Sequence, residues 1–296
     1  MSKVTVAATQ MHCTWNKEEN VDRAEKLIRS AAAKGAQVIL IQELFETPYF
    51  CIEIHEPYHD LATTLEENAA FKRFQALAAE LNVVLPFSWY EQAGQVRFNA
   101  LAMIDAGGEL LGVYRKTHIP DSDGYLEKYY FSPGDTGFKV WNTQFGCIGV
   151  GICWDQWFPE TARSMALMGA DILLFPTAIG SEPSQSDLDS MPHWTNTMRG
   201  HAAANQVPVI ASNRIGKESA EHRDLALTFY GSSFICDERG ELVEQADRDS
   251  EGVLIHTFDL DHVRTQRKAW GLFRDRRPEH YGVIQTLDGQ LKSTAK

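Results

Sequence analysis

The 296-residue sequence has no run of about 18 or more apolar residues, so no segment is long enough to cross a bilayer as a helix. Its opening residues, Met-Ser-Lys-Val-Thr-Val-Ala-Ala-Thr-Gln, lack the charged-then-apolar layout of a signal peptide and are expected to form a first strand instead. Cysteine is sparse. Cys13, Cys51, Cys147, Cys153 and Cys236 are an odd, scattered set without a C-x-x-C pair, which points to reduced thiols in a cytoplasm. Basic residues are outnumbered, 28 Lys and Arg against 40 Asp and Glu, for a net charge of −12. Such a balance disfavours a nucleic-acid partner and suits a cationic ligand, or simply keeps a globular protein soluble.

Several chemistries are missing as well. There is no H-E-x-x-H, no G-x-S-x-G elbow and no G-x-x-x-x-G-K-[ST] loop, and Gly146, Gly149 and Gly151 do not make a G-x-G-x-x-G. His55 and His59 lie in an acidic, irregular stretch that reads as surface loop. No metal and no other cofactor is expected.

What is present is a regular alternation of strands and helices. Apolar patterns predict strands over residues 4–8, 35–43, 83–87, 96–104, 109–114, 146–153, 169–176, 207–212, 231–236 and 254–259, with a hairpin turn at 105–108. Helical spacing covers 18–34, 67–81, 159–168 and 195–205. This order implies helices layered over sheet. Gly-Ala-polar-apolar openings at 35–41 and 169–175 suggest a two-fold internal arrangement. Residues beyond 262 form a tail rich in arginine, with Trp270 and Phe273 interleaved, suited to capping the fold or docking on another subunit.

Four residues carry candidate chemistry. Cys153 closes the glycine-interrupted strand just before a helix entry, where a thiol can project into a cleft; it can equally be a small buried hydrophobe. Glu43 ends an apolar strand, at the edge where α/β folds place their sites. Lys116 ends another strand, and Glu127 lies in an aromatic loop. Singly, each is also readable as an ordinary strand-end or loop charge.

Together they carry a resemblance. Glu-Leu-Phe after an apolar strand, then Tyr-Arg-Lys-Thr-His-Ile-Pro, then Gly-Ile-Cys-Trp-Asp-x-x-Phe-Pro-Glu resemble, in order and spacing, the nitrilase superfamily of carbon–nitrogen hydrolases. Gln42 departs from the proline that many members place before the glutamate. The resemblance implies an α/β fold, a four-layer α-β-β-α sandwich, over residues 1–261, with 262–296 as an extension, and a triad of Glu43, Lys116 and Cys153. A second glutamate of the family falls on Glu127. Glu43 would take the thiol proton as Cys153 attacks a carbonyl. Lys116 and the backbone N–H of Trp154 would stabilise the oxyanion. Glu127 would orient Lys116 or the substrate nitrogen.

Residues 41–50, 123–131, 153–160, 176–183 and 211–216 look most like the branch acting on a small cationic carbamoyl-amine substrate. Members that take carboxylates commonly carry arginine just after the cysteine, where this chain has Gln156 and Trp157. Tyr49, Phe50 and Trp157 would receive an alkyl ammonium chain, or else pack in the core, and Glu182 would meet its distal ammonium, or else be a solvated loop acid. Asp155 is expected to be structural. An amidase or carbamoylase for another small amide or carbamoyl amino acid is the alternative; a non-catalytic binding module is the alternative of another class. The resemblance also implies a homo-oligomer.

Overall fold

The computed structural model describes residues 2–185 and 187–291. Met1 and the last five residues of the 262–296 extension lie outside the described residues.

The first half of the chain builds one sheet and its outer helices. β1 (Lys3–Gln10) leads into α1 (Lys17–Ala33), β2 (Val38–Leu40) and α2 (Ala69–Leu81), followed by the meander β3 (Leu85–Ala93), β4 (Val96–Ile104) and β5 (Leu110–Arg115). α1 starts where Asn16 caps the Glu19 N–H at 3.2 Å, with two acids in its first turn. Its Val21, Ala24, Leu27, Ile28 and Ala31 fall on one buried face. Asn68 caps α2 in the same way, through the Phe71 N–H at 2.8 Å.

The second half repeats the plan. α3 (Glu127–Tyr130), β6 (Val140–Thr143) and β7 (Gly146–Val150) precede α4 (Pro159–Leu167), β8 (Ile172–Pro176), α5 (Met191–Asn205) and β9 (Val209–Ser212). A hairpin of β10 (Ile215–Ser219) and β11 (Ala226–Tyr230) follows, then β12 (Phe234–Cys236), β13 (Leu242–Gln245), β14 (Gly252–Asp259) and α6 (Leu260–Trp270).

Strand order is β14-β1-β2 continued by β3-β4-β5 in one sheet, and β13-β12-β9-β8-β7-β6 in the other. The two segments of the first sheet join where Ile39 donates to the Val84 carbonyl at 3.1 Å and Val84 to that of Gln37 at 2.8 Å. Each sheet is parallel at its centre, β1 with β2 and β7 with β8 and β9, and antiparallel at its flanks. The glycine-led strands β2 and β8 thus take equivalent places in the two halves.

Three apolar cores separate four layers. α1 and α2 pack on the first sheet through Leu27, Ile28, Phe71 and Phe74. The sheets pack on each other through Val6, Leu40, Leu101, Ile148, Leu174 and Ile210. α4 and α5 cover the second sheet through Met165, Trp194 and Met198. Both faces of each sheet are therefore buried, which is why the parallel strands read as unbroken apolar runs. This is the α-β-β-α sandwich.

Three details differ from the expected elements. The strand expected over 35–43 pairs only at Val38–Leu40, and the chain turns at 43–46. The β10–β11 hairpin lies where no strand was expected. The tail opens as a capped helix: Asp259 accepts from the His262 N–H at 3.1 Å, so the 261/262 boundary falls within α6, whose Leu260 and Val263 are buried.

Candidate active site

Glu43 follows β2 at a turn that the next residue makes sharp, Leu44 having φ +48°. Its carboxylate is fully buried. Oε1 accepts from Asn99 Nδ2 at 2.6 Å and from Lys116 Nζ at 2.8 Å, while Oε2 has no hydrogen-bond partner among the described residues. A buried carboxylate oxygen without a donor is costly to keep, so it marks a place where a proton can be received.

Lys116 follows β5 directly. Its N–H bonds the Asn99 carbonyl at 2.9 Å and its own carbonyl accepts from Gly134 at 2.8 Å. The approach requires glycine: a Cβ at 134 would lie 2.1 Å from the Arg115 carbonyl oxygen. Lys116 Nζ reaches Glu127 Oε2 at 2.7 Å as well as Glu43, and all three side chains are fully buried. Glu127 opens α3, and its Oε1 accepts from the Tyr49 hydroxyl at 2.6 Å.

Cys153 begins a single 3-10 turn, Cys153–Trp157, with φ +41°. A non-glycine residue there costs of order 1–3 kcal/mol and persists only where its surroundings fix it. Asp155 supplies the fixing. Its carboxylate accepts from the Ile152 N–H at 2.9 Å, the His118 N–H at 3.0 Å and the Tyr114 hydroxyl at 2.7 Å. Cys153 Sγ lies 3.7 Å from the Ala178 carbonyl.

Burial pushes the Cys153 thiol well above its ordinary range, Glu43 adds to the effect, and Lys116 opposes it. The resting sulfur is therefore held as a thiol, which would need a base before it could act as a nucleophile. Burial works against the charge on Lys116, yet Glu127 and Glu43 outweigh it and hold the ammonium charged. Glu127 is pushed up to about 7 by burial, against the pull of Lys116.

A small cleft opens beside the Cys153 sulfur. Cys153, Glu127, Trp154, Tyr125, Trp157, Ile179 and Glu182 are among the residues that line it. Glu182 is partly buried, its carboxyl raised by that burial, and it has no side-chain partner among the described residues. No Arg, Lys or His lines the cleft among the described residues. Nor do they contain a cluster of His, Cys, Asp or Glu able to hold a metal. A thiol on the cleft, with a fixed cation and a second buried acid held behind its lining residue Glu127, can add sulfur to a carbonyl and stabilise the resulting anion.

Residues 5–268 match the family model described as carbon–nitrogen hydrolase. The chain belongs to the carbon–nitrogen hydrolase family. It is 54% identical to an N-carbamoylputrescine amidase of Oryza sativa subsp. japonica, over 98% of this chain and 97% of the relative. It is 52% identical to a citrullinase of Francisella tularensis, over 96% and 99%. A carbon–nitrogen hydrolase from Helicobacter pylori G27 of known crystal structure superposes with a TM-score of 0.90 at 35% identity, covering 96% of this chain and 99% of that one.

In this carbon–nitrogen hydrolase the structure brings Glu43, Lys116, Glu127 and Cys153 together, with Trp154, Trp157 and Glu182 on the cleft. Tyr49 is set back, buried behind Glu127 and edge-on to Phe229. Phe50 is not on the cleft. The 3-10 turn Phe50–Ile52 directs it into an aromatic cluster, stacked on Tyr90 at 5.2 Å and edge-on to Tyr130 at 5.1 Å. Gln156 also faces inward, bonding Thr177 at 3.0 Å and accepting from Trp194 at 2.7 Å, so of the two positions after Trp154-Asp155 only Trp157 meets the cleft. Asn99 was missed although its signal was present, a lone amide inside the apolar run 98–104. His55 lies stacked on His222 at 3.9 Å, and His59 lies within the 3-10 turn Glu56–Leu61.

Proposed function

We propose that the chain hydrolyses N-carbamoylputrescine to putrescine, carbon dioxide and ammonia. The observation that carries this reading is the cleft itself, lined by the Cys153 thiol and by a carboxylate, Glu182, without a side-chain partner among the described residues. Glu43 Oε2 takes the Cys153 proton as Sγ bonds to the ureido carbonyl carbon. Lys116 and the Trp154 N–H hold the oxyanion, a contribution of about 3–4 kcal/mol where such donors have been removed. The C–N bond to the terminal amide nitrogen then breaks, and ammonia leaves with the proton from Glu43. Water, activated by the same carboxylate, cleaves the S-carbamoyl thioester, and the released N-carboxy amine loses carbon dioxide. Glu127 keeps Lys116 charged and aimed. Glu182 meets the distal ammonium, and the faces of Trp157 and Tyr125 flank the butyl chain.

The relatives support a ureido head group and differ in the tail. Of the two named above, one is an N-carbamoylputrescine amidase and the other a citrullinase. A ureido amino acid would bring an α-carboxylate into a cleft that offers it no cationic side chain, beside a second acid. That argues for the amine-ended compound. The test is ammonia release from N-carbamoylputrescine, citrulline and N-carbamoyl-β-alanine under one set of conditions. A preference of at least about tenfold for the first is expected, equivalent to about 1.4 kcal/mol; a preference for either carboxylate-bearing compound overturns the reading.

The reading extends to the protein's setting. Its five cysteines are unpaired, which supports a reducing, cytoplasmic location. A homo-oligomer is supported by Trp270, 71% exposed, and Ile284, 62% exposed, near the end of the chain. Phe273, the other expected anchor, is instead spent within the subunit, packed against the α4–α5 core beneath the Arg163 guanidinium. Light scattering should show more than a 33.3 kDa species, and Trp270→Ala should shift it downward; a monomer at micromolar concentration contradicts the assembly.

A further inference from the structure

We propose that Arg214 is a positioning residue for both acids of the site. The inference rests on reading Glu43 as the base, and it is independent of which ureido compound is the substrate.

Arg214 lies between β9 and β10, and its side chain is fully buried. The preceding residue fixes where it starts: Asn213 Nδ2 donates to the carbonyls of Ile179 and Gly231, both at 2.9 Å. From there the guanidinium reaches across to the turn after β2. Nη2 donates to the carbonyl of Glu43 at 2.8 Å and to that of Leu44 at 3.0 Å. Nη1 donates to the Thr47 carbonyl at 3.3 Å and to Glu218 Oε1 at 2.9 Å. Three residues of that turn are thus gathered by one planar cation, and Leu44 within it holds a left-handed φ of +48°. Such a conformation lasts only where neighbours over-determine it. A fork of fixed donors can do this; the compact ammonium of lysine cannot hold adjacent carbonyls at once.

The partner carries the effect to the second acid. Glu218 is buried beside Arg214 and also accepts from the Tyr49 backbone N–H. Tyr49 in turn donates its hydroxyl to Glu127. One ion pair therefore sets the main chain under Glu43 and the residue that orients Glu127, the two acids that share Lys116 Nζ. Neither Arg214 nor Glu218 lines the cleft. Burying a guanidinium is expensive, and fold stability alone is more cheaply served by apolar side chains of similar volume. What apolar side chains cannot do is fix carbonyl oxygens.

The test uses the full chain with Arg214→Gly, Arg214→Lys and Glu218→Gln. Two readouts are taken: steady-state ammonia release, and the rate at which iodoacetamide alkylates Cys153, which needs the base but no substrate. Misplacing the base lowers kcat in Arg214→Gly by about 100-fold with KM little changed. Alkylation slows in parallel, and added methylguanidinium below denaturing concentration restores part of both; Arg214→Lys does not recover them. Should Arg214→Gly fail to fold, Glu218→Gln decides, with an expected loss of about tenfold in kcat at unchanged KM. Folded Arg214→Lys and Glu218→Gln that keep wild-type kcat and alkylation rate, or that lose only affinity, overturn the proposal. Wild-type protein inert toward all ureido compounds, with alkylation still slowed in the variants, would sink the substrate assignment and leave this one standing.

Discussion

The hydroxyl of Tyr49 donates to Glu127 Oε1 at 2.6 Å while Lys116 Nζ occupies Oε2 of the same carboxylate at 2.7 Å. Glu127 is thus held at both oxygens, by a neutral donor and by a cation. Burial and the adjacent negative charge raise the Tyr49 phenol well above its ordinary range, so it remains a donor. Glu43 differs: both its donors share Oε1, and the other oxygen has no partner among the described residues. The two acids around one ammonium are built for different tasks, one locked and one available to a proton.

The pH dependence should follow from Glu127. Its carboxyl is raised by burial from the ordinary 4.5 to about 7, so between those values the folded chain binds more protons than the unfolded chain. Stability contributed by this group therefore falls as pH rises through that window. Activity should move the opposite way, because Lys116 loses an anionic partner when Glu127 is protonated. Thermal melts and kcat/KM profiles from pH 4.5 to 7 check both slopes, and Glu127→Gln should flatten each at a lower rate.

Cys153→Ala should abolish turnover and leave the fold intact, as read by circular dichroism. In the wild type, iodoacetamide should label Cys153 first. Cys13 and Cys236 are buried and pushed up to about 11 and about 12, and Cys51 is buried as well. Cys147 is partly exposed and should react second. Peptide mapping of the alkylated protein gives the order, and near-normal activity of the alanine variant would refute the mechanism.

Glu43→Gln retains volume and removes the proton acceptor, for an expected loss of roughly 10²–10⁴ in the rate of acylation. Lys116→Met leaves two buried carboxylates facing each other and should destabilise the fold by about 3–5 kcal/mol. Adding Glu127→Gln to Lys116→Met should recover part of that stability without recovering activity. Urea denaturation of the single and double variants measures the difference; a double variant less stable than Lys116→Met would contradict the charge argument.

Glu182→Gln should raise KM for the amine-ended substrate by about tenfold or more and leave the iodoacetamide reactivity of Cys153 unchanged. Citrulline turnover should be unaffected or improved. A loss of thiol reactivity would move Glu182 from the tail of the substrate to its head.

Much of the site was legible because its main residues close apolar runs. Glu43, Lys116 and Cys153 each follow a strand within three residues, and the segments after the strands of an α/β sandwich are where its sites are placed. The rest depended on contacts that no local pattern records. Arg214 meets Glu43 across 171 positions. Phe50 and Trp157 are both aromatics beside candidate groups, yet a 3-10 turn sends one into the core while the other lines the cleft; composition does not distinguish them. The run 35–43 looked like one strand since Ile41 is buried whether or not the chain keeps pairing. α6 went unseen because charge dominates its sequence and only Leu260 and Val263 are buried.

The pairing of β1 with β14 sets Lys3 against Asp259 and runs through to Gln10 against Gly252. Until β14 is available, β1 has only the three-residue contact of Val6–Ala8 with β2 and otherwise presents an open, apolar edge. During synthesis, β1 thus emerges long before the strand that completes it. The Glu43 turn, one strand away and gripped by a residue 171 positions downstream, waits nearly as long. A nascent chain would stay chemically silent until Arg214 has emerged, with the edge of β1 open to mispairing for longer still.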